Sequence, residues 1–433
     1  MKARYNYRIY PKPHQIKPLA KAFGCARVVW NDALWLYKKH YGRQGVEETS
    51  TQRPYQETGS RPKSVSNIVL THAKKTRPRE WLSEVSSVVL QQSLRDLETA
   101  WKNYFSSLKG KRKGKQVGRP KFKKKSSRQA IRFTTNAFSV HSNSVKLAKI
   151  GHIKTVFSRP LPSAPSSVTI IKDTVGNYFA SFVVETAQPI PPQTEASCGI
   201  DLGLIDFAIL STSEKIENPR WHKKMLSRIK RASRKLAKAK KDSNRRKRRK
   251  QKLAKLHAKV KNQRADFLHK LTTRLVREFK YIAVEDLNVS GLLKNHKLAR
   301  AIADAGWHKF KSMLEAKCNK YDRHLTIVNR WYASTQICSC CGKSGGKKEL
   351  NVREWSCLFC NTKHDRDINS SRNLEQQIKK EAGGQSDSDG VHKLRGKPTQ
   401  TTPHINERGA SVSRSVTAIC AEPLTTYEQL SLF

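Results

Sequence analysis

Residues 357–374 read CLFCNTKHDRDINSSRNL, a Cys-x-x-Cys pair a few positions ahead of two carboxylates, Asp365 and Asp367. A first pair, Cys338-x-x-Cys341, lies upstream, and fifteen residues separate Cys341 from Cys357. Each knuckle presents two thiolates, and two knuckles close a tetrahedron around Zn²⁺. Four sulfurs leave no coordination position open, so Cys338, Cys341, Cys357 and Cys360 predict one structural zinc and put any chemistry elsewhere. Cys340, inside the first knuckle, points away from such a metal and is left out of the ligand set. The remaining cysteines, Cys25, Cys198, Cys318 and Cys420, are scattered, which reads as metal binding in a reducing compartment rather than a disulfide framework.

The acids behind the second knuckle stand out because acids are scarce. The chain holds 86 Lys and Arg against 34 Asp and Glu, a formal net charge of +52. Such self-repulsion calls for a polyanion, and nucleic acid is the expected partner. No run of about 18 apolar residues is present, so no membrane is expected. Three acids recur at strand ends or just after a knuckle. Asp201 follows Gly199-Ile200, Glu285 follows YIAV and is itself followed by Asp286, and Asp367 opens a helical stretch, INSSRNLEQQI. A lone acid in such a place is commonly a cap or an ion-pair partner. Three in a strongly basic domain suggest carboxylates converging on two divalent cations about 3.5–4 Å apart, the arrangement of metal-assisted phosphodiester hydrolysis. Oxygen ligands select Mg²⁺ or Mn²⁺ over zinc.

Outward from these motifs, the 433 residues, 37% of them hydrophobic, allow two or three domains. The N-terminal ARYNYRIYP alternates as a strand and lacks the apolar core of a signal peptide, so the protein is expected to stay where it is made. From Ile16 the pattern turns helical, with Val29, Ala33, Leu36 and Tyr37 on one face and Gly42 as C-cap. A second helix repeats the apolar face at Leu90, Leu94, Leu97, Trp101 and Phe105. Lys109 to Arg128 carries eleven Lys or Arg and no acid, a basic loop suited to phosphate contacts. Strands return between Ala130 and Glu185, with a hairpin turn at Gly176-Asn177, and predict a small antiparallel sheet or barrel that the opening strand could join. The helices between would then be an insertion. Lys223 to Arg264 holds 21 Lys or Arg and one acid, Asp242, and reads as a long basic helical hairpin facing a nucleic-acid backbone. Phe267, Leu271, Leu275 and Phe279 continue it at helical spacing. A further helix carries Trp307, Phe310, Leu314 and Cys318, and a strand near LTIVNRW leads into the cysteines. Beyond Ala382 the composition predicts a disordered tail.

GIDLG from Gly199, VEDLNVSG from Val284, STQICSCCG from Ser334, the second knuckle and HDRDINSSRNL from His364 resemble the TnpB family, transposon-encoded RNA-guided nucleases related to type V CRISPR effectors. They occur in that family's order, and with YRIYP and FGCARVVWN the resemblance runs to about Ala382. It implies an α/β multidomain protein whose RuvC-like nuclease, of RNase H type, spans 191–330 and 364–381. A four-Cys zinc ribbon is inserted at 331–363. A β-barrel-like wedge domain covers 1–20 and 126–190, a helical recognition lobe 21–125, and the disordered tail 382–433. The resemblance makes Asp201, Glu285 and Asp367 the catalytic triad. It favours Asp367 over Asp365, which becomes a supporting or capping acid. Where the family usually has Ala-Ala this chain has Ser370-Ser371, a small-for-small change that puts little in doubt. The implied function is Mg²⁺-dependent cleavage of double-stranded DNA beside a short adjacent motif, directed by a guide RNA whose pairing supplies the sequence specificity. Gln91 and Gln92, on a helix of the lobe, have side chains suited to reading adenine edges of that motif. The protein would be a monomer with its RNA, in the prokaryotic cytoplasm at the nucleoid. Two other readings are a nuclease-inactive RNA-guided repressor, which loss of one triad acid would signal, and a RuvC-type nuclease or transposition protein that needs no RNA.

Overall fold

The computed structural model describes residues 1–43, 70, 74–75, 77–112, 116–126, 128–187, 191–349 and 351–382. The expectation of a disordered tail falls outside them. Strand β1 (Lys2–Tyr10) buries Tyr7 and Ile9, and helix α1 (Pro13–Arg43) follows at once, starting on a proline whose missing N–H costs a first helical turn nothing. The helix runs one residue past Gly42, so that glycine is not its cap, and the side chain of Leu36 lies outside those described. Helix α2 (Ser87–Leu108) packs on α1 through Trp30, Leu34 and Leu97, with Tyr37 and Trp101 at the margin. Phe105, expected on the same buried face, stacks on Trp101 at 5.7 Å and keeps 47% of its surface exposed.

The chain then forms β2 (Gln129–Thr134), β3 (Phe138–His141), β4 (Ser144–Leu147), β5 (Gly151–Val156), β6 (Ser167–Lys172) and β7 (Tyr178–Glu185). With β1 they make a seven-stranded antiparallel sheet in the order β2-β6-β7-β1-β5-β4-β3. The first strand is central, paired with β7 from Lys2–Glu185 to Ile9–Tyr178 and with β5 on its other edge. The chain thus leaves the sheet for the helices and returns. Asp173 closes the β6–β7 hairpin by accepting from the amides of Val175 and Asn177, and Gly176 takes φ +96°, where a side chain would be strained. Helix α2 packs against β2 as well as α1, which buries Gln92 to 5% exposure. Of the two glutamines expected to read a target-adjacent motif, Gln91 is thus the more accessible, staying partly exposed.

The basic loop is partly fastened to the helices. Trp30 Nε1 donates to the Lys121 carbonyl at 3.0 Å, and Asn31 bonds both backbone groups of Lys123. The Lys123 ammonium sits 3.7 Å above the Trp30 ring, and burial pulls it down to about 8.

The second sheet has the order β10-β9-β8-β11-β12, built from β8 (Ser197–Asp201), β9 (Asp206–Leu210), β10 (Lys215–Glu217), β11 (Tyr281–Glu285) and β12 (His324–Val328). Strands β8, β11 and β12 run parallel and are covered on both faces, hence their unbroken apolar reading. Between β10 and β11 lies the basic hairpin, α3 (Trp221–Ala237) and α4 (Asn244–Glu278). After β11 come α5 (Val289–Leu292), α6 (Ala299–Ala305) and α7 (Trp307–Tyr321). Leu268, Leu271 and Leu275 of α4 and Phe310 and Leu314 of α7 fill the core on one face of the sheet. Strands β13 (Glu354–Ser356) and β14 (Lys363–Asp365) form a ribbon, and α8 (Arg366–Ala382) covers the other face with Leu374 and Ile378. The foot of the basic hairpin rests on one acid: Asp304 accepts from the amides of His222 and Lys223, capping α3, and pairs with Arg264 at 2.9 Å. Among the described residues no helix is long and apolar enough to cross a membrane.

Candidate active site

Strand register brings the first two acids together. Ile200 of β8 pairs with Val284 of β11 in parallel, so Asp201 and Glu285 stand side by side at the C-terminal ends of neighbouring strands. Helix α8 brings the third by lying directly on β8. Its contact is backbone to backbone: a Cβ at Gly199 would stand 2.6 Å from the amide nitrogen of Glu375 and closer still to the Ser371 carbonyl oxygen. Only glycine admits that approach, and it sets Asp367, in the first turn of α8, over the end of β8.

Asp201 feels the other two acids. Burial, then the charges of Glu285 and Asp367, push the Asp201 carboxyl up to about 7, opposed by the Leu202 amide and the Ser370 hydroxyl. Burial and the neighbouring Asp286 raise Glu285 too. Asp286 is held low by Lys311, with Arg330 on its other oxygen, each at 2.6 Å. Asp367 receives the Arg353 guanidinium at 3.1 Å. Asp365 is occupied otherwise: it accepts from the amides of Asp367 and Ile368, capping α8, and pairs with Lys215 at 2.6 Å. Although burial works against it, Lys215 and these amides keep its carboxyl below the usual range.

Among the described residues, the four cysteines Cys338, Cys341, Cys357 and Cys360 are the group whose ligand atoms all lie within 4.8 Å of one another. Cys338–Cys360 and Cys341–Cys357 each measure 3.6 Å between sulfurs, close to the roughly 3.8 Å that four sulfurs about 2.3 Å from a central ion would show. The set fits a tetrahedral metal, and Cys340 is exposed outside it. The Thr362 hydroxyl and amide lower the Cys360 thiol, whereas burial raises that of its neighbour Cys338. The carboxylates are spread more widely, as ligands of two ions rather than one can be. Their all-oxygen donor set and mutual repulsion fit hard divalent cations, which would relieve that repulsion.

Several residues here carry no local sequence signal. His364 is buried between Trp355, 4.8 Å away ring to ring, and Cys338, whose sulfur is 3.0 Å from its Nε2. Helix α8 buries a polar face: Asn369, Ser370, Ser371 and Asn373 are at most 1% exposed. Asn373 donates to the carbonyls of Ser334 and Ile337 at 2.7 and 2.6 Å, and Asn369 donates to Ile337 while accepting from the Ser339 amide. The first knuckle is therefore fastened to the helix that carries Asp367.

The chain matches a family described as "Probable transposase" over residues 181–296, one described as "Cas12f1-like, TNB domain" over 307–374 and a helix-turn-helix domain over 1–45. A Streptomyces pristinaespiralis protein named "Putative RNA-guided DNA endonuclease" is 41% identical over 86% of this chain and 89% of its own length. An Escherichia coli (strain K12) protein of the same name, InsQ, is 27% identical over 86% and 90%. Among solved structures, a Cas12f1–sgRNA–target DNA complex contains a chain 12% identical, covering 84% of this chain and 82% of its own, with a TM-score of 0.49. The match that spans most of both chains at 41% identity, together with the motifs in their order, leads to one assignment: the chain belongs to the TnpB family.

Proposed function

We propose that this protein is an RNA-guided DNA endonuclease that cuts double-stranded DNA by metal-assisted phosphodiester hydrolysis at Asp201, Glu285 and Asp367. The observation that carries the reading is the convergence of these three carboxylates at one end of a mixed five-stranded sheet in a chain of net charge +52. The strand order and the helix across β8 support a RuvC-like domain at 191–330 and 364–381. Mg²⁺ or Mn²⁺ ions bound there would supply an activated water and a stabilised leaving oxygen. Asp201 and Glu285 hold their positions through strand pairing, and Asp367 through the docking of α8. Lys215 and Arg353 neutralise the two acids at the start of α8, so that both stand within one turn. The four cysteines hold zinc as a structural ion in a ribbon at 331–363.

The seven-stranded sheet is read as a wedge domain and helices α1 and α2 as a recognition lobe, with Gln91 the more accessible candidate for contact with a target-adjacent motif. The basic hairpin, α3 and α4, offers the charge that a guide RNA and its heteroduplex need. The protein acts as a monomer with its RNA, in the prokaryotic cytoplasm. A nuclease-inactive repressor is disfavoured because all three acids are present.

The test is to express the protein with its native flanking DNA and sequence the RNA that copurifies. A discrete RNA whose 3′ end matches the cut DNA, with cleavage that follows when that end is rewritten, is the expected result. Asp201→Ala, Glu285→Ala and Asp367→Ala should each abolish Mg²⁺-dependent cutting while binding survives. Equal cutting by RNA-free protein would replace this reading with a guide-independent nuclease.

A further inference from the structure

The loop that leaves β12 commits two of three consecutive side chains to the protein and leaves the middle one outside. Arg330 reaches back to Asp286, beside Glu285, at 2.6 Å, and Tyr332 packs on the cluster of Ala283, Val328, Leu374 and Ile378. Between them the Trp331 ring stands in solvent, 85% exposed. Its backbone is fixed: Asn329 accepts from the Trp331 amide through Oδ1 at 2.9 Å and from the Tyr332 amide through its carbonyl at 3.0 Å. A single exposed apolar side chain is ordinary on a protein surface. This one is not isolated. The four most exposed large apolar side chains among the described residues are Leu358, Trp331, Ile205 and Phe359. Ile205 lies in the turn that follows Asp201, and Leu358 and Phe359 lie on the knuckle ahead of Asp367.

Strands β8, β11 and β12 run parallel, so the turn after β8 and the loop after β12 emerge at the end of the sheet that carries the acids. Val328 is the register partner of Glu285, and the order β9-β8-β11-β12 puts Ile205 on the Asp201 side of the pair and Trp331 on the Glu285 side. With neighbouring strands about 4.8 Å apart, only roughly 10 Å separates β8 from β12. A nucleic-acid strand whose phosphodiester meets the carboxylates therefore brings its adjoining nucleotides within reach of the indole. Every base has a π-face, so stacking on an aromatic ring suits any sequence. Inside a duplex both faces of a base are covered by its neighbours, and the ring can engage only a strand that has left its partner. That strand is DNA, because guide RNA lying across the same carboxylates would expose itself to hydrolysis.

We propose that Trp331 is a base-stacking residue of the nuclease: its ring takes the face of an unpaired base beside the bond to be cut and so holds the single DNA strand across Asp201 and Glu285. The inference rests on the reading of those acids as the cutting centre.

The experiment uses the full chain with its guide RNA and measures single-turnover cleavage of matched DNA in which successive nucleotides of the cut strand are made abasic, one at a time. Trp331→Ala should slow cleavage about 10-fold, within the range that stacking on one base supplies. Because the ring is exposed, the melting temperature should not change, and because pairing to the guide holds the target, bound RNA and affinity for target DNA should not change either. Trp331→Phe should recover most of the rate and Trp331→Leu should not, which separates stacking from simple apolar contact. At one position of the cut strand the missing base should slow the wild type by the same factor and leave Trp331→Ala no slower, since ring and base are two halves of one contact. Wild-type rates in Trp331→Ala, or abasic effects that multiply with it at every position, would overturn the stacking, while an inactive Asp201→Ala would leave the nuclease reading standing. RNA lost from Trp331→Ala would assign the ring to the guide and overturn the proposal as well. Cleavage by Asp201→Ala at the wild-type rate would overturn the nuclease reading itself.

Discussion

Replacing Gly199 with alanine tests the contact on which the whole site depends. The new methyl would stand 2.6 Å from the Glu375 backbone nitrogen, against roughly 3.5 Å for an ordinary carbon–nitrogen contact, and closer still to the Ser371 carbonyl. Neither atom belongs to a flexible side chain. Helix α8 or strand β8 must therefore move by about 1 Å, and overpacking of this kind costs about 3 kcal/mol, the upper part of the usual range, because backbone opposes backbone. For a cooperative unit of about 150–250 residues, the size of the part of the chain from 191 to 382 that holds this contact, that lowers the melting temperature by about 6–12 °C. Function should suffer more, since the shift separates Asp367 on α8 from Asp201 on β8, and a displacement near 1 Å costs about 100-fold in rate. The assay pairs thermal unfolding with guide-directed cleavage at saturating Mg²⁺. Gly24→Ala is the control: no heavy atom outside its own helix lies within 4 Å of the added methyl, and alanine there should be neutral or stabilise by up to about 1 kcal/mol. If Gly199→Ala melted within 1–2 °C of wild type (roughly the effect of half a kcal/mol) and cut at the same rate, the helix-on-strand packing would be refuted.

Cys357→Ser should release the ribbon's metal and lower the melting temperature by more than about 5 °C, since a four-sulfur site contributes its binding energy to folding; metal analysis showing full zinc retention would count against the ligand set. Asp365→Ala should cost about 1–2 kcal/mol through loss of the α8 cap and slow cleavage only mildly, whereas Asp367→Ala should be inactive, and a reversed order of these two would undo the choice between them. The Asp201 carboxyl, raised to about 7, gives a signed pH effect. The folded chain keeps a proton there that the unfolded chain releases above about 4, so this stabilising contribution is present at low pH and lost as pH rises through 7. Asp201→Asn, which cannot ionise, should therefore raise the melting temperature of Mg²⁺-free protein by several degrees at pH 8 but not at pH 4, and Mg²⁺ should stabilise the wild type alone; equal melting at both pH values would contradict the raised carboxyl.

What the sequence determined by itself was whatever lies in local spacing or in scarcity. Two Cys-x-x-Cys pairs fix a metal knuckle within a few residues, so Cys338, Cys341, Cys357 and Cys360 could be named without the fold. The parallel strands read as apolar runs because both faces are covered, and Asp201 and Glu285 stood out as the acids that end them. Helical periodicity marked the buried faces of α4 and α7, down to Leu271 and Phe310. Tertiary structure alone decided which groups answer those acids. Lys215 reaches Asp365 across 150 residues of chain, and the Ser370 hydroxyl meets that of Ser334 only because α8 docks on the glycine of β8. Sequence read Ser370 as a small-for-small replacement because volume is a local property, while a hydroxyl's partner is set by whatever the fold places opposite it. The burial of Gln92 was hidden for the same reason. A polar residue on a helix is exposed by default, but α2 is packed between α1 and the edge strand β2, and burial is decided by how many neighbours an element has.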